Sequence, residues 1–321
     1  MARKEKICYS GVGGQAVLEG VMMKNSEKYA VAVRKPDGEI DVKIDTFQGV
    51  LKENKIKKVP FIRGVFNFIE SLMLGMKSLN HSVSFYEEEE EETKFDKALD
   101  KLTKGKTEEF MTTLVTFFSV VLAVGIFIVL PYFLTSFLEK YIQSASLMAV
   151  IEGVVRICIF ILYVWGISAM EDIKRLYMYH GAEHKCINCI EHGLELNVEN
   201  AMKSSRLHKR CGTSFMFFVM FVSIILFFFI RVDNRLLKVL LRIALMPVVA
   251  GISYEIIRLA GRSNNFIVQI LSAPGMLIQR MTTKEPDEDM IQVAIASVEA
   301  VFDWKKYQKE NFCTDAEEKE K

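Results

Sequence analysis

Four of the five histidines in this chain fall between His180 and His208, and three cysteines, Cys186, Cys189 and Cys211, sit among them. His180 and His184 are four residues apart, so on a helix both imidazoles leave one face about 6 Å apart. Two ligands at that separation can share one zinc-sized ion. Glu183 completes a His-x-x-Glu-His pattern of the kind used by inverted zinc peptidases, where the glutamate is a general base. Glu191, two turns beyond His184, offers a second carboxylate on the same side. Further on, the return segment Arg206-Leu-His-Lys-Arg-Cys-Gly-Thr213 carries His208 and Cys211. Two His from a helix with a His and a Cys from a return segment make a tetrahedral set, if the two ends meet. With only three ligands bound, the remaining position is open to water, whose pKa zinc lowers toward ~7.

Cys186 and Cys189 form a C-x-x-C unit that competes for the same ion, and with His192 it could build a second site. On a continuous helix the two thiols point roughly 140–200° away from the His180/His184 side. The histidine pair is therefore the primary candidate and the two cysteines are accessory. A blander reading makes the histidines helix caps at a membrane boundary, with the cysteines as small apolar fillers. That reading would win for one histidine. Four His, three Cys and a His-x-x-Glu-His within this stretch favour a metal.

The elements that must position these residues are largely apolar. Half of the 321 residues are hydrophobic, and the net charge of +1 gives no global basicity that would suit nucleic acid. Six cysteines are too few and too scattered for a disulfide scaffold. The basic N-terminus lacks the apolar core of a secretory signal. Phe110 to Leu138 runs without a basic or acidic residue, long enough to cross ~30 Å of hydrocarbon. Tyr141 to Met170 is interrupted only by Glu152 and Arg156, one helical turn apart, which can pair on a face turned into the bundle. Gly212 to Ile230 is a third uncharged run. Leu236 to Leu259 is a fourth, with Lys238, Arg242, Glu255 and Arg258 along it and a kink expected at Pro247.

Basic residues set the expected orientation. Five lysines precede the first run, seven basic residues lie between the second and third, and only Lys140 lies between the first and second. The N-terminus, the His/Cys segment and the C-terminus are thus expected in the cytoplasm, with the spans in the plasma membrane.

Outside the spans, residues 12–45 read as β-structure, with a hairpin turn at Pro36-Asp37-Gly38. Gly11-Val-Gly-Gly14 lacks the Lys-Ser/Thr ending of a phosphate-binding loop, so tight packing is its default reading. Residues 60–85 form a helix whose Arg63, Glu70 and Lys77 fall in one stripe, suiting the membrane interface or a face of the spans. His81 near its end reads as structural. A run of six glutamates from Glu87 forms a solvated linker. After the spans, Pro274-Gly275 breaks an apolar interfacial or re-entrant segment, and Asp287 to Tyr307 reads as one amphipathic helix before a disordered tail. The expected fold class is mostly α: a polytopic helical membrane protein of about four spans with a small N-terminal β-rich segment. The expected parts are 1–58 (β-rich), 59–86 (interfacial helix), 87–109 (charged linker), 110–262 (membrane domain, with the His/Cys loop at 171–211) and 263–321.

GGQAVLEGVMM near the N-terminus, YHGAEHK at 179–185, SRLHKRCGTSF at 205–215 and GISYEIIR at 251–258 together resemble the YqhQ family of bacterial membrane proteins, over nearly the whole chain. That family is described as predicted metal-dependent enzymes of uncharacterised activity. The resemblance implies a membrane location and a metal. It points to His180, His184, His208 and Cys211 as ligands, with Glu183 as general acid/base and Glu191 as a second candidate. Zinc suits mixed His/Cys ligation, with iron or manganese as alternatives. Two functions compete. One is a metal-dependent hydrolase at the cytoplasmic membrane face, acting on a lipid or membrane-associated substrate. The other is a non-catalytic assembly or regulatory protein stapled by a structural zinc.

Overall fold

Strand-forming residues fill the N-terminal part of the computed structural model, which describes residues 7–49, 59–86, 107–230, 232, 234–260 and 266–312. Strands β1 (Gly13–Val17), β2 (Gly20–Asn25), β3 (Lys28–Arg34) and β4 (Ile40–Thr46) pair in sequence order as an antiparallel meander. The turn at Pro36-Asp37-Gly38 joins β3 to β4 as expected, with Gly38 at φ 87°. QAVLEGVMM, within the stretch expected to be β-structure, forms two strands. Leu18 and Glu19 turn between them, and Glu19 takes φ 48°.

Alternation along β2 and β3 buries both faces of the sheet. Val17, Met22, Tyr29, Val31 and Val33 face Leu74 of helix α1 (Ile62–Val83). Val21, Met23 and Ala32 face a second core formed with α5 (Glu171–Glu191) and α10 (Glu288–Val301). Helix α10 contributes Met290, Ile291, Val293, Ala294 and Val298, an i, i+1, i+3, i+4, i+8 stripe. The sheet is thus a layer between α1 on one side and α5 with α10 on the other.

Helices α2 (Thr107–Val124), a π-helical turn (Gly125–Val129) and α3 (Leu130–Ser136) run on into a 3₁₀ turn at Phe137–Lys140; α4 (Ala145–Ile167) follows. After α5 come α6 (Val198–Lys203), α7 (Gly212–Phe228), α8 (Arg235–Ala260), α9 (Phe266–Thr282), α10 and α11 (Trp304–Phe312). By length and composition, Thr113–Ser136, Ser146–Ile167 and Leu236–Leu259 can cross a membrane. Among the described residues there are three such helices, where the sequence suggests about four spans. The run at 212–230 forms α7, whose 17 residues rise only ~26 Å.

Other expectations are also revised. The segment at 171–211, a loop only in the sense of joining two spans, contains the helix that the His180/His184 spacing implies, 21 residues long. Pro274-Gly275 lies inside the continuous helix α9. The single helix expected from Asp287 to Tyr307 is two, broken at Phe302-Asp303. Helix α2 begins within the expected 87–109 linker; the rest of that linker, including the glutamate run, lies outside the described residues, as does the tail at 313–321.

The chain divides into two compact units. One comprises Met1–Tyr86, Val164–Val219 and Pro247–Lys321; the other comprises Glu87–Tyr163 and Met220–Met246. In the first, α1 seats on the second half of α8: Arg63 pairs with Glu255 and Asn67 donates to the Tyr254 hydroxyl at 2.7 Å. The expected Arg63/Glu70/Lys77 stripe is a docking face, since Lys77 also pairs with Asp45 of β4 at 2.8 Å. In the second unit the Glu152–Arg156 pair forms as expected, at 2.9 Å.

Candidate metal centre

Helix α5 is unusual because its C-terminal half is buried on every side, from Gly181 to Glu191, although it carries Glu183, His184, Lys185, Asn188 and Glu191. Buried polar groups must be hydrogen-bonded or they destabilise the fold. Here they find the backbone of the return segment. Lys185 Nζ donates to the carbonyls of Met202 (2.7 Å) and Ser204 (3.0 Å), and Asn188 Nδ2 donates to those of Ser205 (2.6 Å) and Leu207 (3.0 Å). Gly193, at φ 74°, lets the chain turn, and Asn197 caps α6 through the Asn200 N–H. From the other side Gln279 of α9 holds His208 by both backbone groups, accepting from its N–H (3.0 Å) and donating to its carbonyl (2.7 Å).

These clamps bring Cys211 against the histidine pair. His180 Nε2 lies 3.1 Å from Cys211 Sγ. The donor atoms of His180, His184 and Cys211 all fall within 4.8 Å of one another. Each imidazole gives its Nδ1–H to a main-chain carbonyl: His180 to Thr282 (2.9 Å) and His184 to Arg206 (2.7 Å). That fixes the tautomer with Nε2 toward the cluster, the outer-shell arrangement of ligating histidines. In a tetrahedral zinc site a nitrogen and a sulfur donor stand about 3.5 Å apart, so the pair fits one ion after a shift of a few tenths of an ångström.

Electrostatics agree with a cationic guest. Burial alone would lower the pKa of His180, but the adjacent Cys211 sulfur raises it to about 9. Burial would raise Cys211, yet His180 and His184 hold its thiol well below the ordinary value. Glu183 is pushed up by its burial, against the pull of His184 and His180 and a hydrogen bond from the Gly14 N–H.

His208 is beside the cluster rather than in it. Its ring centroid is 5.7 Å from that of His184, and its Nε2 lies 3.3 Å from Glu191 Oε2. Glu191 also accepts from the Ser10 N–H (3.0 Å), the Ser10 hydroxyl (2.8 Å) and Arg210. Cys186 and Cys189 are fully buried in the apolar core with α10, on the far side of α5 as their phase on a helix requires. His192 closes the helix, its Nδ1 2.7 Å from the Asn188 carbonyl.

A cavity of about 220 Å³ opens onto the cluster. His180, Glu183, His184, His208, Arg210 and Cys211 line one side, and Tyr9 with the Gly11–Gly14 segment lines the other. Here the glycines differ in use. A side chain on Gly11 or Gly13 would meet nothing within 4 Å, whereas one on Gly14 would stand 2.5 Å from the Met22 carbonyl oxygen and 3.1 Å from Glu183 Cδ. Gly14 therefore lets β1 reach Glu183, while Gly11 and Gly13 leave the cavity open. The guanidinium of Arg210 lies over the Tyr9 ring at 3.6 Å.

Sequence reasoning missed Lys185, Asn188, Gln279 and the Thr282 carbonyl. The one available signal was Gln279, a polar residue one turn before Thr282 and Thr283 in a mainly apolar helix. Gly181 was missed as well. A Cβ there would stand 2.1 Å from the Lys284 carbonyl oxygen, and Lys284 N–H donates to Tyr177 O at 2.9 Å. Gly181→Ala is expected to push the segment at 282–284 away from His180 and to cost about 1–3 kcal/mol. Thermal unfolding of the purified protein would measure this, with Gly166→Ala as control, since that Cβ meets nothing within 4 Å.

The fold and site define a mostly helical membrane protein with a largely buried His–His–Cys cluster at the wall of a polar cavity. Residues 59–304 match the family described as "protein of unknown function (DUF1385)". The chain is also 35% identical over 286 residues to the "uncharacterized protein YqhQ" of Bacillus subtilis (strain 168), covering 89% of this chain and 90% of that protein. The chain belongs to this family. No solved structure matches it.

Proposed function

We propose that this protein is a membrane-bound, metal-dependent hydrolase whose site is built on His180, His184 and Cys211. The observation that carries this reading is the convergence of three donors, two of them tautomer-locked, at the wall of a cavity rather than in a closed core. The mixed nitrogen and sulfur donors favour zinc, with another divalent metal as the alternative. Such an ion is a Lewis acid that brings the pKa of water toward ~7. Glu183 is the proton acceptor: its carboxylate lines the cavity one residue from His184, oriented by the Gly14 N–H. Arg210 and the open backbone of Gly11 and Gly13 suit an anionic or carbonyl group of the substrate. A lipid or a membrane-associated molecule fits a site on a chain of apolar helices. Glu191, with both oxygens engaged, acts by position, holding His208 beside His184. The distribution of basic residues supports four spans, counting α7, and a cytoplasmic face for the site and both termini.

The test is Glu183→Gln. Elemental analysis and X-ray absorption should find wild-type metal content in the variant, with three protein donors and one position open to solvent. Hydrolysis of a micelle-presented ester and phosphoester panel should fall by 10²–10⁴-fold. A shell saturated by four protein donors would support the structural-zinc reading instead, and unchanged hydrolysis in the variant would remove Glu183 from the mechanism.

A further inference from the structure

The second unit holds an ionic cluster that the proposed hydrolase site does not use. Glu152 of α4 is shared by two arginines. Its Oε1 accepts from Arg156 (2.9 Å) and its Oε2 from Arg242 of α8 (2.6 Å). Arg156 gives a further hydrogen bond to Ser223 at 2.8 Å. One carboxylate thus faces two guanidinium groups, and their side chains are each only 5% exposed. A surplus positive charge at that depth is costly unless something answers it.

The aromatic neighbours answer only part of it. Arg242 stacks on Tyr132 (5.0 Å) and Phe227 (5.3 Å), which engages the faces of the guanidinium. Its in-plane donors are another matter. Nε and Nη1 of Arg242 are buried with no hydrogen-bond partner among the described residues. Arg242 lines a cavity of about 230 Å³ together with Lys238, Glu152, Tyr132, Thr135 and Gln143. Among the described residues the sole acid in that lining is Glu152, and it already has both oxygens bound. Lys238 adds a second cation over the Tyr132 ring at 5.5 Å.

Position narrows the ligand. Tyr132 lies in the last turns of the Thr113–Ser136 segment, and Glu152 and Arg242 lie in the first turns of Ser146–Ile167 and Leu236–Leu259. Six residues into a span is about 9 Å from its end, within reach of the headgroup level for long basic side chains. Two guanidinium donors without a partner among the described residues, Nε and Nη1, beside an ammonium suit the oxygens of a phosphate.

We propose that this cavity binds a phosphate group, supplied by a phospholipid headgroup or by free phosphate, with Arg242 and Lys238 as its cationic ligands. The test uses delipidated full-length protein in detergent. Inorganic phosphate is titrated by calorimetry, and native mass spectrometry counts phosphatidylglycerol retained from nanodiscs. Wild type should take up one phosphate or one lipid per chain. Lys238→Gln should weaken this at least tenfold and Arg242→Gln should abolish it. Lys238 is outside the Glu152 network, so its variant remains informative if Arg242→Gln does not fold. Uptake of inorganic phosphate assigns the free anion; lipid retention without it assigns the headgroup. No uptake by either route, or uptake equal in wild type and Lys238→Gln, overturns the proposal. His184→Ala should leave the binding unchanged, which separates this site from the metal centre.

Discussion

His184→Ala is expected to purify without metal, whereas the wild-type protein is expected to carry one zinc-sized ion per chain. Among the described residues three donors converge, so removing one leaves His180 and Cys211 as a two-atom chelate. Losing an outer-shell partner of a ligand commonly costs 10–100-fold in affinity; losing the ligand itself should cost at least about 100-fold. Elemental analysis after dialysis against a chelator measures this. His192→Ala is the control, because that imidazole is spent on the Asn188 carbonyl. The same experiment has a pH arm. Before metal enters, His180 is protonated up to about 9, raised by the Cys211 sulfur against the effect of burial. An ion at Nε2 must displace that proton, so affinity should rise about tenfold per pH unit on the acid side and level off above it. Full metal content in His184→Ala, or a metal-free wild type from chelator-free buffers, would sink the assignment.

The His-x-x-Glu-His spacing was legible because a helix converts four residues of separation into one face, and α5 is a helix there. The outward phase of Cys186 and Cys189 was legible for the same reason. The support of the site was not. Lys185, Asn188 and Gln279 act on backbone carbonyls and amides tens of residues away, and a single polar residue in a sequence does not name its partner. Patterning also misleads when an element is buried all round. The C-terminal half of α5 is polar by composition, yet it lies inside because the return segment supplies its hydrogen-bond partners.

Turns and breaks were read unevenly, and the reasons are local. Pro36-Asp37-Gly38 announces itself through residues suited to a turn. Leu18-Glu19 does not; Glu19 takes its left-handed conformation while pairing with Arg175 and accepting from the Tyr179 hydroxyl at 3.2 Å, contacts made only in the folded chain. Pro274-Gly275 looks like a stop, but Gly275 lies where a Cβ would come within 2.9 Å of Ser214 Oγ, so close packing of α9 on the start of α7 holds the helix through the proline.

Glu191→Gln should destabilise the protein by about 3 kcal/mol at neutral pH while leaving His180, His184 and Cys211 in place. Burial would raise the pKa of this carboxyl, but His208, Arg210 and the Ser10 N–H together lower it to about 2, from an ordinary 4.5. A depressed folded-state value stabilises the fold fully above the unfolded value and loses that contribution as pH falls through the folded one. The window therefore runs from about 4.5 down to about 2. Wild-type unfolding midpoints should fall across it. The variant should start lower at pH 7 and lose less over the same range, because its amide has no proton to gain. The size of the effect follows from what the carboxylate joins. It ties the N-terminal segment at Ser10, the end of α5 and the return segment at His208 and Arg210, and its side chain is only 5% exposed. Removing it leaves Arg210 and His208 without their acid, which is the costly way to break a buried pair. A variant with the wild-type midpoint at pH 7 would mean that these three segments are held by packing alone, and that the return segment reaches His180 and His184 without electrostatic help.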